Sequence, residues 1–216
     1  MISLLAKSFA PHDELAARLL PHGDDNDDGS HDAAHTVRVF RNAMRIHETE
    51  GGDARILAAA VLLHDCVAVE KNAPERSKAS RLSADRAEGI LGAMGWDKDD
   101  VEAVSHAIVA HSFSANIAPE SLEAKILQDA DRLDAIGMMG AARCFYIAGR
   151  MGSHLYDPID PLAKDRSLDD RRFAIDHFST KLFKLADGFQ TKTGRALASA
   201  RHARLMHVLE LFLDEI

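Results

Sequence analysis

Thiols are scarce in this chain: Cys66 and Cys144 are its two cysteines, they stand far apart, and neither belongs to a C-x-x-C pair. The pattern argues against a disulfide framework and reads as two buried, reduced thiols of a cytoplasmic protein. Aromatic residues are also few, at 6% of the sequence, and β-branched alternation is sparse, which weighs against a sheet protein. No stretch reaches the ~18 apolar residues that a membrane span requires. Met1–Leu20 carries Lys7, His12, Asp13 and Glu14 among its apolar residues, so it does not read as a signal peptide. Positive charge is in deficit, with a formal net charge of -8. That disfavours an extended nucleic-acid surface but leaves room for a locally basic pocket. Neither a G-x-G-x-x-G motif nor a P-loop is present, so motor-type NTPase chemistry and dinucleotide redox chemistry find no support.

What is present reads as helix throughout. The 216 residues are 46% apolar and 28% charged, the balance of a soluble globular protein with a substantial core. One domain over 1–216 is the simplest organisation, with 1–30 as an N-terminal helix and acidic loop and 31–140 carrying the chemistry. Asp24 to Ser30 is a polar, acidic connector. The next helix runs from Asp32 to about Glu50 and stops at Gly51-Gly52. Asp53 caps a helix from Ala54 to about Cys66 that is apolar nearly all round and therefore central. Val67 to Ser80 reads as irregular, with Pro74 inside it. Helices follow at Ser83–Met94, Asp97–His111 and Pro119–Ile147. Gly149 to Ser167 is a long loop, and two more helices fit Leu168–Ala186 and Thr193–Glu215.

Chemistry concentrates in an ordered set: His35, then His64-Asp65, then Asp131. The pair His64-Asp65 ends Ala58-Ala59-Ala60-Val61-Leu62-Leu63, a run with no other polar side chain. An apolar helix that ends in two ligand-type residues has a polar task at the edge of the core. Two imidazoles and two carboxylates make a mixed N/O site suited to Mn, Fe, Co, Ni or Zn, with Mg also compatible. Such a site can leave coordination positions open for water and substrate.

These residues, with the blocks His35-Thr36-Val37-Arg38-Val39, Leu62-Leu63-His64-Asp65, Ala107 to Ser114 and Gln128 to Asp134, resemble the HD-domain phosphohydrolases. Arg143-Cys144-Phe145, Thr193-Gly194-Arg195, Arg201 and Glu210 resemble one bacterial subfamily of small single-domain members. The likeness runs from about His31 to the C-terminus. It implies an all-α, single-domain HD-domain helical bundle that holds a divalent metal on His35, His64, Asp65 and Asp131. It also implies hydrolysis of a phosphate ester or anhydride of a small nucleotide by metal-activated water. An HD-like di-iron oxygenase and a non-catalytic metal or ligand sensor stand as rivals. A ferritin-like bundle is disfavoured, because no Glu-x-x-His occurs.

Further residues carry candidate roles. Asp65 can also bridge to a second metal or orient the attacking water. His106 and His111, five residues apart on one helix, are candidates for a second metal, for substrate phosphate or for proton donation. The non-stacked spacing favours His111 as an acid or phosphate contact. Some relatives place an acid shortly after the His-Asp pair, which makes Glu70 a candidate to act on the nucleophilic water. Lys71, Arg76 and Arg132 are the candidate phosphate clamps; Lys71 and Arg76 stand with Lys78 and Arg81 in a local basic patch. Asp129 and Asp134 compete with Asp131, and Asp134 fits a supporting role. A homo-oligomer is compatible with the sequence.

Overall fold

The computed structural model describes residues 2–23, 32–67, 69, 78–112 and 115–216. Glu70, Lys71 and Arg76 lie outside the described residues, as do His31, the acidic connector and most of the predicted irregular segment. Over the described residues the chain is all-α. Its extended pairing there amounts to one isolated bridge between His154 and Phe173. No helix among the described residues is long and apolar enough to cross a membrane. The chain divides into two compact units, Met1–Asp131 and Arg132–Ile216.

The first unit opens with α1 (Ile2–Ala6) and α2 (Asp13–Leu19) where a single N-terminal helix was expected. Pro11 stands between them and has no backbone N–H to continue a helix. α3 (Ala33–Glu50) starts at Asp32, whose carboxylate accepts the His35 N–H at 2.8 Å. It ends at Gly51, which takes the positive φ of +84° that glycine adopts without strain. Asp53 then caps α4 (Ala54–Leu63), accepting from the Arg55 and Ile56 amides. Every residue from Leu57 to Leu63 is buried, so α4 is the axis of the unit. It packs against α3 and against α6 (Lys98–His111), which in turn packs against α5 (Ala79–Ala93). α5 starts four residues earlier than the spacing suggests. Leu57, Leu63, Leu91, Ile108, Ile126 and Leu127 are fully buried. Each contributes roughly 1.5–3 kcal/mol relative to exposure.

The expected helix Pro119–Ile147 is two helices, α7 (Leu122–Asp134) and α8 (Gly137–Met151). The break falls where Ile136 is extended and Gly137 takes φ +72°. Arg201 fills the gap, packing 3.2 Å from where a Gly137 Cβ would stand and donating to the Leu133 carbonyl. In the second unit α8 packs on α10 (Lys192–Asp214) around Cys144, Ile175, Phe178, Leu182 and Leu205. The expected helix Leu168–Ala186 is also corrected. Turns continue to Ile175, followed by α9 (Asp176–Thr180) and a 3-10 turn, Leu182–Ala186. The backbone of 172–175 is taken instead by His154 and Leu155, and the Asp169 carboxylate takes the Arg171 and Arg172 amides. Buried Asp176 receives both Arg166 Nη atoms at 2.6 and 2.8 Å and the Asp169 amide at 2.7 Å.

Candidate metal centre

The site lies within the first unit, where the ends of three helices and the start of a fourth supply its side chains. His35 stands in the first turn of α3, His64 caps the C-terminus of α4, and His111 is the last residue of α6. His64 Nδ1 lies 2.7 Å from the Val61 carbonyl and His111 Nδ1 lies 2.6 Å from the Ile108 carbonyl. A carbonyl oxygen only accepts, so in each ring Nδ1 carries the proton. The Nε2 of the neutral ring then presents a lone pair. Burial lowers the His64 pKa, and His111 and His35 lower it further against the opposing effect of Asp65. His64 is therefore held neutral, the form that ligates a metal.

These Nε2 atoms converge. His35 Nε2 and His64 Nε2 are 3.3 Å apart, and Asp131 Oδ1 lies 3.5 Å from His35 Nε2. On the other side of His64, Asp65 Oδ2 lies 3.4 Å from its Nε2, and Asp65 Oδ1 lies 3.7 Å from His111 Nε2. Two overlapping groups result, His35/His64/Asp131 and His64/Asp65/His111, each with its candidate ligand atoms within 4.8 Å of one another. The imidazoles form the floor, with His35 and His64 1% exposed and His111 7%. The carboxylates form the rim, with side chains 42% exposed at Asp65 and 33% at Asp131. The donor set therefore fits a divalent ion: nitrogen and oxygen atoms only, fixed below and open to solvent above. Convergent lone pairs and two carboxylates repel one another unless a positive charge lies among them. α4 and α6 both end here, and the negative ends of their dipoles favour a cation as well.

The other candidates fall in different places. His106 is outside both groups, and its Nε2 accepts the Glu120 N–H at 3.0 Å. Asp129 is fully buried, and Asp134 pairs with Arg143 at 3.3 Å. Arg132 belongs to the second unit, where Nη1 donates to the Gly188 carbonyl at 2.7 Å. Its guanidinium sits 5.6 Å over the Phe189 ring.

Three polar residues near the site escaped the sequence reading. Asn42 Nδ2 donates to the Ala130 carbonyl at 3.0 Å, Gln128 Nε2 to the Ala110 carbonyl at 2.8 Å, and Arg86 Nη1 to the Cys66 carbonyl at 2.9 Å. The available signal for two of them was an amide inside a buried apolar stripe: Asn42 among Val39, Ala43 and Ile46, and Gln128 after Ile126 and Leu127.

The HD domain family model matches residues 32–136, which span both groups. An uncharacterized Bacillus subtilis protein, YpgQ, is 37% identical over 181 residues, covering 82% of this chain and 80% of YpgQ. A crystal structure of YpgQ in complex with ADP aligns at a TM-score of 0.71 and 32% identity, over 100% of this chain and 97% of that one. A crystal structure of an HD-superfamily hydrolase from Bacillus thuringiensis aligns at 0.69 and 31% identity, over 98% and 96%.

Proposed function

This chain belongs to the HD-domain family, and from that premise we propose that it is a metal-dependent phosphohydrolase of small nucleotides. The observation that carries the reading is the pair of buried imidazoles with Nε2 atoms 3.3 Å apart, flanked by the carboxylates of Asp65 and Asp131. His35, His64, Asp65 and Asp131 hold a divalent transition metal. When bound, such an ion would polarise a phosphoryl oxygen and would lower the pKa of its water to about 7.

The remaining roles belong to the chain's own side chains. Asp65 stands at the rim with its side chain partly exposed, placed to orient an incoming water and take its proton. Glu70, five residues on, is a second acid for the same water. His111 Nε2 faces the Asp65 carboxylate and, when it carries a second proton beside that on Nδ1, is placed to contact a phosphoryl oxygen or protonate the departing one. Lys71 and Arg76 neutralise phosphate charge, as charge-assisted hydrogen bonds do, while the Arg132 guanidinium is engaged by the Gly188 carbonyl and the Phe189 ring. The complex of YpgQ with ADP supports a nucleotide as the ligand class.

The test is a screen of nucleoside mono-, di- and triphosphates with Mn, Co, Ni, Zn, Fe(II) or Mg, assaying phosphate and pyrophosphate separately. Metal-dependent release from one nucleotide class, lost in Asp65→Ala, is the expected result. No release from any class with any ion overturns the proposal.

A further inference from the structure

Three side chains grip backbone carbonyls, and each carbonyl belongs to the residue next to a member of the two groups. Ala130 precedes Asp131, Ala110 precedes His111, and Cys66 follows Asp65. The Ala130 and Ala110 carbonyls lie in the rigid peptide planes that end at the nitrogens of Asp131 and His111. Turning either plane turns the Cα from which the site residue projects. The plane joining Cys66 to Val67 is held at both ends from α5: Arg86 donates to the Cys66 carbonyl, and Ser83 Oγ accepts the Val67 N–H at 3.2 Å.

The Ala110 contact follows from where α6 stops; the Cys66 carbonyl lies just past the end of α4, and the Ala130 carbonyl lies within α7, where Asn42 adds a second grip. The last carbonyls of a helix lack an intrahelical partner. At the end of α6 three of them are met by side chains: Ile108 by His111 Nδ1, Val109 by Ser80 Oγ, and Ala110 by Gln128 Nε2. Putting His64 and His111 at helix ends brings their imidazoles to the site, and it also leaves backbone there that nothing in the helix fixes. Asn42 and Gln128 are 7% and 5% exposed, so their grip is shielded from competing water.

Building on the metal reading above, we propose that Asn42, Arg86 and Gln128 are positioning residues for the metal centre. They tune its affinity without contacting the ion, by fixing the backbone one residue away from Asp131, Asp65 and His111. Their effect resembles that of outer hydrogen-bond partners of metal ligands, whose loss typically lowers affinity by roughly ten- to a hundredfold.

The experiment measures Mn²⁺ affinity by titration calorimetry on the full chain, with melting temperature recorded for each variant. The variants are Asn42→Leu, Gln128→Leu, Arg86→Met and Arg86→Lys, with His64→Ala as the ligand control. Ile46→Val on α3, fully buried and one turn beyond Asn42, is the stability control. The expected result is a loss of Mn²⁺ affinity of about tenfold or more in the clamp variants. Arg86→Lys, which keeps an N–H donor, recovers most of it, and Ile46→Val binds as the parent does. Parental affinity in the clamp variants overturns the inference and leaves the metal reading intact. So does a loss in Ile46→Val equal to theirs at equal melting temperature. If the parent protein binds Mn²⁺ no better than His64→Ala, both fall. Arg86 lies on the exposed face of α5, so its variants fold even if a buried amide variant does not.

Discussion

His64 belongs to both candidate ligand groups, whereas His35 and Asp131 belong to one and His111 to the other. This overlap gives an ordered prediction for metal-linked stability. Binding of an ion to the folded state alone adds RT ln(1 + [L]/Kd), about 2.7 kcal/mol at a hundredfold excess over Kd. For a chain of this size 1 kcal/mol moves the melting temperature by ~2–4 °C, so saturating Mn²⁺ raises it by roughly 5–11 °C. His64→Ala takes a ligand from both groups and abolishes the rise. His35→Ala and Asp131→Ala leave at most what His64, Asp65 and His111 provide. His111→Ala keeps the contribution of His35, His64 and Asp131. The readout is the difference between chelator-treated and Mn²⁺-saturated samples of each variant by circular dichroism. Taking that difference cancels the cost of losing the His64 bond to the Val61 carbonyl. Elemental analysis after desalting supplies the stoichiometry. A full rise in His64→Ala with parental metal content would refute the overlap and the proposed site together.

Three further outcomes are expected. Asp176→Ala removes the buried acceptor of two Arg166 bonds and the Asp169 amide and destabilises the protein by about 3–5 kcal/mol; a denaturant midpoint equal to the parent's would show that the 152–175 segment does not depend on it. The Cys144 thiol is pushed up to about 11 by burial and secondarily by Asp170, so native protein at pH 8 exposes roughly one thiolate in a thousand there and resists iodoacetamide. Because the unfolded thiol ionises first, stability is lost as pH rises between about 9 and 11 and not below, and Cys144→Ser removes that segment of the melting curve against pH. Lys71→Ala and Arg76→Ala each lower kcat/KM by roughly ten- to a hundredfold, from loss of a charge-assisted bond worth ~1.5–3 kcal/mol; unchanged kinetics in both would leave these cations as solvated surface charges.

The elements that the sequence predicts well are those with strong local signals. Asp53 caps α4 as its position before apolar periodicity implies, α3 begins within one residue of the expected Asp32, and Gly51 stops α3. Two of the departures from the sequence expectation were decided at long range. Gly137 breaks α7 from α8 with an arginine sixty-odd residues later in contact with it, and 172–175 pairs with 154–155 in preference to coiling. Likewise, His64 and Asp65 stand out at the abrupt end of an apolar helix, His111 at the expected end of its own, and His35 and Asp131 through the blocks that resemble the family, and the structure brings the five together. His106, five residues from His111, lacks such a position and bonds to the 120 amide instead. Asn42, Arg86 and Gln128 carry no such mark. Their meaning depends on carbonyls of other helices, and no periodicity in their own segments records those partners.

The imidazole locks at His64 and His111 have a consequence for how the centre is assembled. Each ring is aimed by a carbonyl three residues earlier in its own chain, so its orientation is decided within a single turn. Two imidazoles of the site are thereby aimed by contacts inside α4 and α6 themselves. Packing one helix end against the other completes a pair that faces the right way. The rotamer entropy of two side chains is lost with the helices and is not charged against the ion when it arrives.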